Sequence, residues 1–217
     1  MAKPSLGLAL SWAFDTFRRF FVPFLALAAV VVVIQFFDQF TARLLDDADV
    51  NPVVTLLVSI MFLVVGLIAA IGVQRAALRA TQGHEPSFAD MLTTQHLGKY
   101  LLLALVYSIL TIFGFLLCII PGLLVIFFFE LAPYYILDRG VGVFVAIKSS
   151  FEVIRANVGP ALLMTLLDIL VNISGLVPYT SGVATLVTFG IFTLVTLPFA
   201  SLFIAHMYRQ FNHERIA

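Results

Sequence analysis

No charged side chain interrupts this sequence from Phe20 to Phe37, from Val50 to Gln74, or from Tyr100 to Phe129. Between Arg155 and Arg209 the only Asp, Glu, Lys, Arg or His residues are Asp168 and His206. A helix that crosses a bilayer needs ~20 consecutive, mostly apolar residues. It also satisfies its own backbone hydrogen bonds, which an irregular segment in lipid does not. A water-soluble fold has no place for four such runs. Charged residues make up 11% of the chain and hydrophobic residues 62%, against roughly 25% and 45–50% in soluble domains. An ordinary soluble enzyme, a disordered tail and a secreted disulfide scaffold are all excluded.

The runs divide into six spans. The stretch from Tyr100 to Phe129 is 30 residues long, too long for one comfortable crossing. Pro121-Gly122 punctuates it, which predicts spans over 100–119 and 122–137. Pro178-Tyr179-Thr180-Ser181-Gly182 breaks the last run into spans over 159–177 and 183–207. The first two spans cover 20–37 and 50–74. Lys3, Arg18 and Arg19 ahead of an apolar run have the look of a signal peptide. The run continues through Val30-Val31-Val32-Val33 with no small-residue cleavage site, so an uncleaved first span is expected.

Six spans put both termini on one side, together with every Lys and Arg except Arg43. Arg43 lies in a loop that also carries Asp46, Asp47 and Asp49. By the positive-inside rule the termini are expected to face the cytoplasm. Three segments on that side, 5–19, 86–98 and 141–157, are too polar to span and too apolar for loops. Each precedes a span. In the last, Val143, Phe144, Ile147, Phe151 and Ile154 recur near a helical period, and Lys148, Glu152 and Arg155 take another face. Such amphipathic helices lie in the headgroup plane or against the ends of the spans. Pro86-Ser87-Phe88-Ala89-Asp90 opens the middle segment like a helix cap. Ala9, Phe14, Asp15, Arg18 and Pro23 also match Ala146, Phe151, Glu152, Arg155 and Pro160 at one constant offset. The expected fold is therefore an all-α polytopic membrane protein in one domain. Its six transmembrane helices form three units, near 1–79, 80–139 and 140–217, each preceded by a cytoplasmic amphipathic helix.

Ile120-Pro121-Gly122, Leu131-Ala132-Pro133-Tyr134-Tyr135-Ile136-Leu137-Asp138 and the segment from Ala146 to Asn157 form the most specific pattern in the chain. It resembles the YciC-like proteins and the membrane domain found ahead of some glycerophosphodiester phosphodiesterases. The resemblance covers about 40 residues well and the whole chain in span layout. It implies a six-span bacterial inner-membrane protein of unsettled function. With the chain ending at Ala217, no phosphodiesterase chemistry is carried over. Phe151 stands where the family often has Trp, and Ala156 where it often has Gly.

Two carboxylates fall at membrane depth, Glu130 near the middle of the fourth span and Asp168 near the middle of the fifth. An acid at a helix centre costs ~2.5–3.5 kcal/mol on insertion scales, so both are candidates for a site. Thr165, Asp168 and Asn172 share one helical face, and Tyr134 stands one turn from Glu130. These five residues predict either polar stripes that hold neighbouring spans together or a site for a proton, a cation or a cationic headgroup. Asp138, Lys148, Glu152 and Arg155 make a charged set on the cytoplasmic side. Arg18, Arg19, Lys148 and Arg155 are the candidates for anionic headgroups, each basic residue gaining ~1 kcal/mol near such a surface.

Enzyme motifs are missing: no Gly-rich phosphate loop, no His-Glu-x-x-His, and four dispersed histidines, of which His206 is expected at the membrane interface. Cys118, the single cysteine, is expected to be a packing residue. No metal, cofactor or nucleic acid is expected; the formal net charge is +0. Membrane lipids, and a membrane-protein partner or a second copy, are the expected partners. The leading expectation is a non-catalytic module that binds lipid or a partner in envelope maintenance. The alternative is a lipid or small-solute carrier that uses the midplane acids.

Overall fold

A computed structural model describes residues 4–172 and 182–213, and the regular structure among them is helical. The expected turn at Pro178–Gly182 lies largely outside the described residues. In chain order the helices are α1 (Leu6–Arg19), α2 (Phe21–Asp47), α3 (Pro52–Ala80), α4 (Ala89–Leu92) and α5 (Leu97–Leu117). They continue with α6 (Ile119–Phe129), α7 (Ala132–Arg139), α8 (Val143–Ala156), α9 (Val158–Asn172) and α10 (Gly182–Phe211).

Among the described residues five stretches are long and apolar enough to cross a membrane: α2, α3, α5, α6 with α7, and Gly190–Phe211 within α10. A sixth arises if α8 and α9, bent by 113° at Asn157, count as one broken span. The molecule is a multi-pass helical membrane protein. Its outward surface is hydrocarbon, as Leu56, Leu63, Leu105, Leu116 and Leu170 illustrate. Helix α10 forms the centre. Ala205, Met207 and Tyr208 are fully buried, and α10 packs on α1, α2, α3 and α9.

Helix ends and membrane limits do not coincide. Helix α2 runs ten residues past the charge-free segment, to Asp47, because charge bars a residue from lipid without breaking a helix. Asn51 caps α3, accepting from the Val53 N–H at 2.9 Å, and Pro52 sits where no N–H is needed. The break expected at Pro121-Gly122 falls instead at Cys118, in extended conformation (φ −174, ψ 161). Proline in a helix disrupts the turn before it: it offers no N–H to the fourth carbonyl back, here Leu117, and its ring crowds that carbonyl. Pro121 thus sits in the first turn of α6. Cys118 alone separates α5 from α6, and the hairpin closes on glycine. A Cβ on Gly114 would stand 2.8 Å from the Gly122 Cα.

The middle surface segment departs from expectation. Only Ala89–Leu92 is helical there, and the chain re-enters α5 through His96 at φ 61. Asp90 explains it. Its carboxylate accepts the Ser87 N–H at 3.0 Å and pairs with Arg79 at 2.5 Å, which pins a short turn to α3. The outer two segments are 14-residue helices. Their bounds coincide at the offset that relates Ala9 to Ala146, and both alanines are fully buried. Both helices end in similar breaks, Phe20 at φ −112, ψ 35 and Asn157 at φ −132, ψ 41. Pro23 and Pro160 then occupy the first turns of α2 and α9.

A candidate cation site between the spans

Proline also sets the position of Glu130. Pro133 has no N–H to give to the Phe129 carbonyl, and the helix steps at Glu130 and Leu131 between α6 and α7. Buried Ser150 of α8 repairs the step: its hydroxyl donates to the Phe128 carbonyl at 2.7 Å and accepts the Leu131 N–H at 3.2 Å. The displaced turn carries the Glu130 carboxyl to α9, where Oε2 meets the Thr165 hydroxyl in a short hydrogen bond. Thr165 Oγ1 also lies 3.1 Å from the Ala161 carbonyl oxygen. Glu130 Oε1 is buried and has no hydrogen-bond partner among the described residues.

Glu130 belongs to the wall of a cavity of about 360 Å³ between α3, α5, α6, α7, α9 and α10. Asp168 lines it from α9, close enough for electrostatic interaction with Glu130. Tyr134 lines it too and donates from its hydroxyl to the Ser201 carbonyl at 3.4 Å. The structure thus brings Glu130, Tyr134, Thr165 and Asp168 together. Asn172 ends α9, and its side chain lies outside the described residues.

Sequence reasoning missed the rest of the wall. Gln74, Tyr100, Tyr107, Ser108 and Ser201 add polar atoms, with the Tyr100 hydroxyl donating to Gln74 Oε1 at 3.1 Å. Ala104, Ser108, Ala200 and Ser201 leave the space. Single polar residues on apolar helices carry no linear signal of the face they take. A stripe of Tyr100, Ala104, Tyr107 and Ser108 at helical spacing was the available clue.

One turn further along α3 and α7 lies a polar recess of about 280 Å³, lined by Arg75, Arg79, Asp90, His96 and Asp138 among others. Arg75 donates to the Thr93 and Gln95 carbonyls and clips the segment after α4 to α3. Gly72 makes room on the same face for Met91, which a Cβ would strike.

The charged set expected at Asp138, Lys148, Glu152 and Arg155 is not one cluster. Asp138 turns inward to Arg209, whose Nη2 and Nη1 lie 2.6 Å and 2.9 Å from its two carboxylate oxygens. Tyr208 donates to the same carboxylate at 2.9 Å. Lys148 pairs on α8 with Glu152, one turn on, at 3.8 Å. Lys148 and Arg155 are exposed on α8, and Arg18 and Arg19 on α1. The guanidinium carbons of Arg18 and Arg19 lie 5.6 Å and 5.1 Å from the ring centroids of Phe14 and Phe20. His206 is buried beneath α1: the Trp12 and His206 ring centroids lie 4.9 Å apart, and Nδ1 is 2.9 Å from Gln210 Nε2. Among the described residues no three His, Cys, Asp or Glu side chains are grouped to hold a metal.

No family model matches this chain. An uncharacterized protein of Mycobacterium bovis is 26% identical over 237 aligned positions, which cover 98% of this chain and 70% of that protein. Uncharacterized proteins from two strains of Mycobacterium tuberculosis match over the same shares at 26% and 25% identity. No solved structure matches.

Proposed function

We propose that this chain is a non-catalytic, six-span protein of the bacterial inner membrane that binds a positively charged ligand in the chamber at Glu130 and Asp168. Both termini face the cytoplasm, and the resemblance to YciC-like proteins belongs to the same reading. One observation carries it: Glu130, one carboxylate oxygen of which is buried with no hydrogen-bond partner among the described residues, borders a cavity shared with a second acid. A carboxyl that served only to tie Glu130 to α9 would need no open space beside it, yet Glu130 meets Thr165 through Oε2 and still borders the cavity. Ionisable groups inside a membrane that face a cavity mark ligand, ion or proton pathways. The carrier reading gains over the lipid-docking module on this ground. Lipid contact through Arg18, Arg19, Lys148 and Arg155 accompanies it as a second property.

The test is ligand-linked stability in nanodiscs. A panel of protons, alkali and alkaline-earth ions and ammonium ions should contain at least one cation that raises the melting temperature. A ligand at one hundred times its Kd stabilises by ~2.7 kcal/mol. Glu130→Gln should fold and lose that increment. A panel with no Glu130-dependent effect sinks the reading.

A further inference from the structure

Resting on that reading of the chamber, we propose that its ligand is an organic ammonium ion, an amine whose carbon substituent fills the apolar part of the cavity. Size is the first argument. The cavity holds about 360 Å³, while one water takes ≈ 30 Å³ of liquid volume. A bare ion would leave most of that space to water or unfilled. Pockets for small organic ligands begin at ≈ 300 Å³.

The lining is the second argument. Leu67, Leu103, Ile126, Leu197 and Ile204 present hydrocarbon to the cavity. Calcium takes 6–8 oxygen ligands, and the two carboxylates and scattered hydroxyls here make a poor shell for it. Aromatic content is the third. Tyr100, Tyr107, Phe129 and Tyr134 border the same space, and ammonium groups are drawn to aromatic rings as well as to carboxylates. In the bound state the ammonium N–H groups donate to the carboxylates of Glu130 and Asp168. The carbon substituent lies against Leu103 and Ile126. A free amine and the amine headgroup of a membrane lipid share this chemistry.

The experiment uses the full chain in phosphatidylglycerol nanodiscs. Calorimetric binding is compared for benzylamine, methylamine, benzyl alcohol, sodium and magnesium. Benzylamine is expected to bind at least tenfold more tightly than methylamine or either metal ion, and benzyl alcohol not at all. Glu130→Gln should weaken benzylamine at least tenfold with unchanged circular dichroism. Ala104→Leu, which narrows the chamber, should weaken benzylamine while sparing methylamine. The ligand series on the unaltered protein gives the same discrimination if that variant does not fold. A second arm replaces half the lipid with phosphatidylethanolamine. An affinity for benzylamine weaker than in discs where phosphatidylcholine replaces the same half, which matches the change in surface charge, then identifies the lipid headgroup as the ligand, and an equal one identifies a soluble amine. Sodium or magnesium binding that depends on Glu130, with benzylamine no tighter than methylamine, overturns the amine proposal and leaves the cation reading standing. Equal binding of benzyl alcohol and benzylamine also overturns it. No Glu130-dependent binding by any cation overturns both.

Discussion

Arg209 is held from several directions by groups far away in sequence. Its Nε donates to Thr81 at 3.1 Å, at the end of α3, and its Nη atoms grip Asp138 on α7. The side chains of Arg209 and Asp138 are only 6% and 12% exposed. One contact set therefore ties α3, α7 and α10 together beside the polar recess. Removing one member of a buried pair leaves the other charge unpaired, which costs ~3–5 kcal/mol. Arg209→Met should cost about 3 kcal/mol, the low end, because Asp138 keeps its Tyr208 partner. Equilibrium unfolding in micelles measures this, and Asp138→Leu added to Arg209→Met should recover most of the loss. A single variant within 0.5 kcal/mol of the parent, roughly the noise of surface changes, would show that the pair is dispensable. The sequence could not announce this pair. Asp138 lies close to Lys148 and Arg155 along the chain, and only the return of α10 across the bundle brings Arg209 to it. Glu130 and Asp168 were legible for the opposite reason: an acid in a charge-free run is conspicuous on its own. Their meeting depends on the step at Pro133, which linear spacing does not convey.

At the scale of helices, α1 and α8 are related in length, end geometry and exposure. Each buries one narrow stripe, Ala9, Ala13, Thr16 and Phe17 in α1 and Val143, Ala146, Ser150 and Ile154 in α8. Each leaves large apolar side chains uncovered beside its cations. Leu8 and Phe14 are 65% and 52% exposed on α1, and Phe144 is 88% exposed on α8. A membrane surface accepts such a mixture, with rings in the acyl boundary and cations among the phosphates. Replacing Arg18, Arg19, Lys148 and Arg155 with Gln should remove up to ~4 kcal/mol of attraction at ~1 kcal/mol each. The readout is the rise in melting temperature on going from phosphatidylcholine to phosphatidylglycerol nanodiscs, which the fourfold variant should lose. An unchanged rise would assign the anionic-lipid effect elsewhere. These helices were readable because their apolar residues recur at helical spacing. The segment at 86–98 was not, since its form depends on Asp90 finding Arg79 on α3 and on Arg75 taking the Thr93 and Gln95 carbonyls. The placement of the α5–α6 turn, three residues ahead of Pro121, follows from where proline acts, on the turn before it.

Across the whole molecule, lengths and charges constrain the orientation jointly. At 1.5 Å per residue, α5 is about 31 Å long, close to the ~30 Å hydrocarbon core. Helices α2 and α3, with 27 and 29 residues, reach about 40 Å. Tilt or extension beyond the core at either end takes up the excess of roughly 10 Å. The tip of their hairpin carries Arg43 with Asp46, Asp47 and Asp49. The opposite end gathers Arg75, Arg79, Lys99, Arg139 and Arg209, several of them bound into the fold by backbone carbonyls or carboxylates. A cation-rich end so tied to the helices cannot be drawn through a bilayer cheaply, and the acidic tip can. The tip is thus expected on the outer side and the recess on the cytoplasmic side. Cysteine accessibility decides it. In a Cys118→Ser background, Asp47→Cys and His84→Cys each place one thiol at an exposed position at opposite ends. A membrane-impermeant maleimide should label Asp47→Cys in intact cells and His84→Cys only after permeabilisation. The reverse pattern would invert the molecule. The polar recess and its tied cations would then lie on the outer side, against the positive-inside bias.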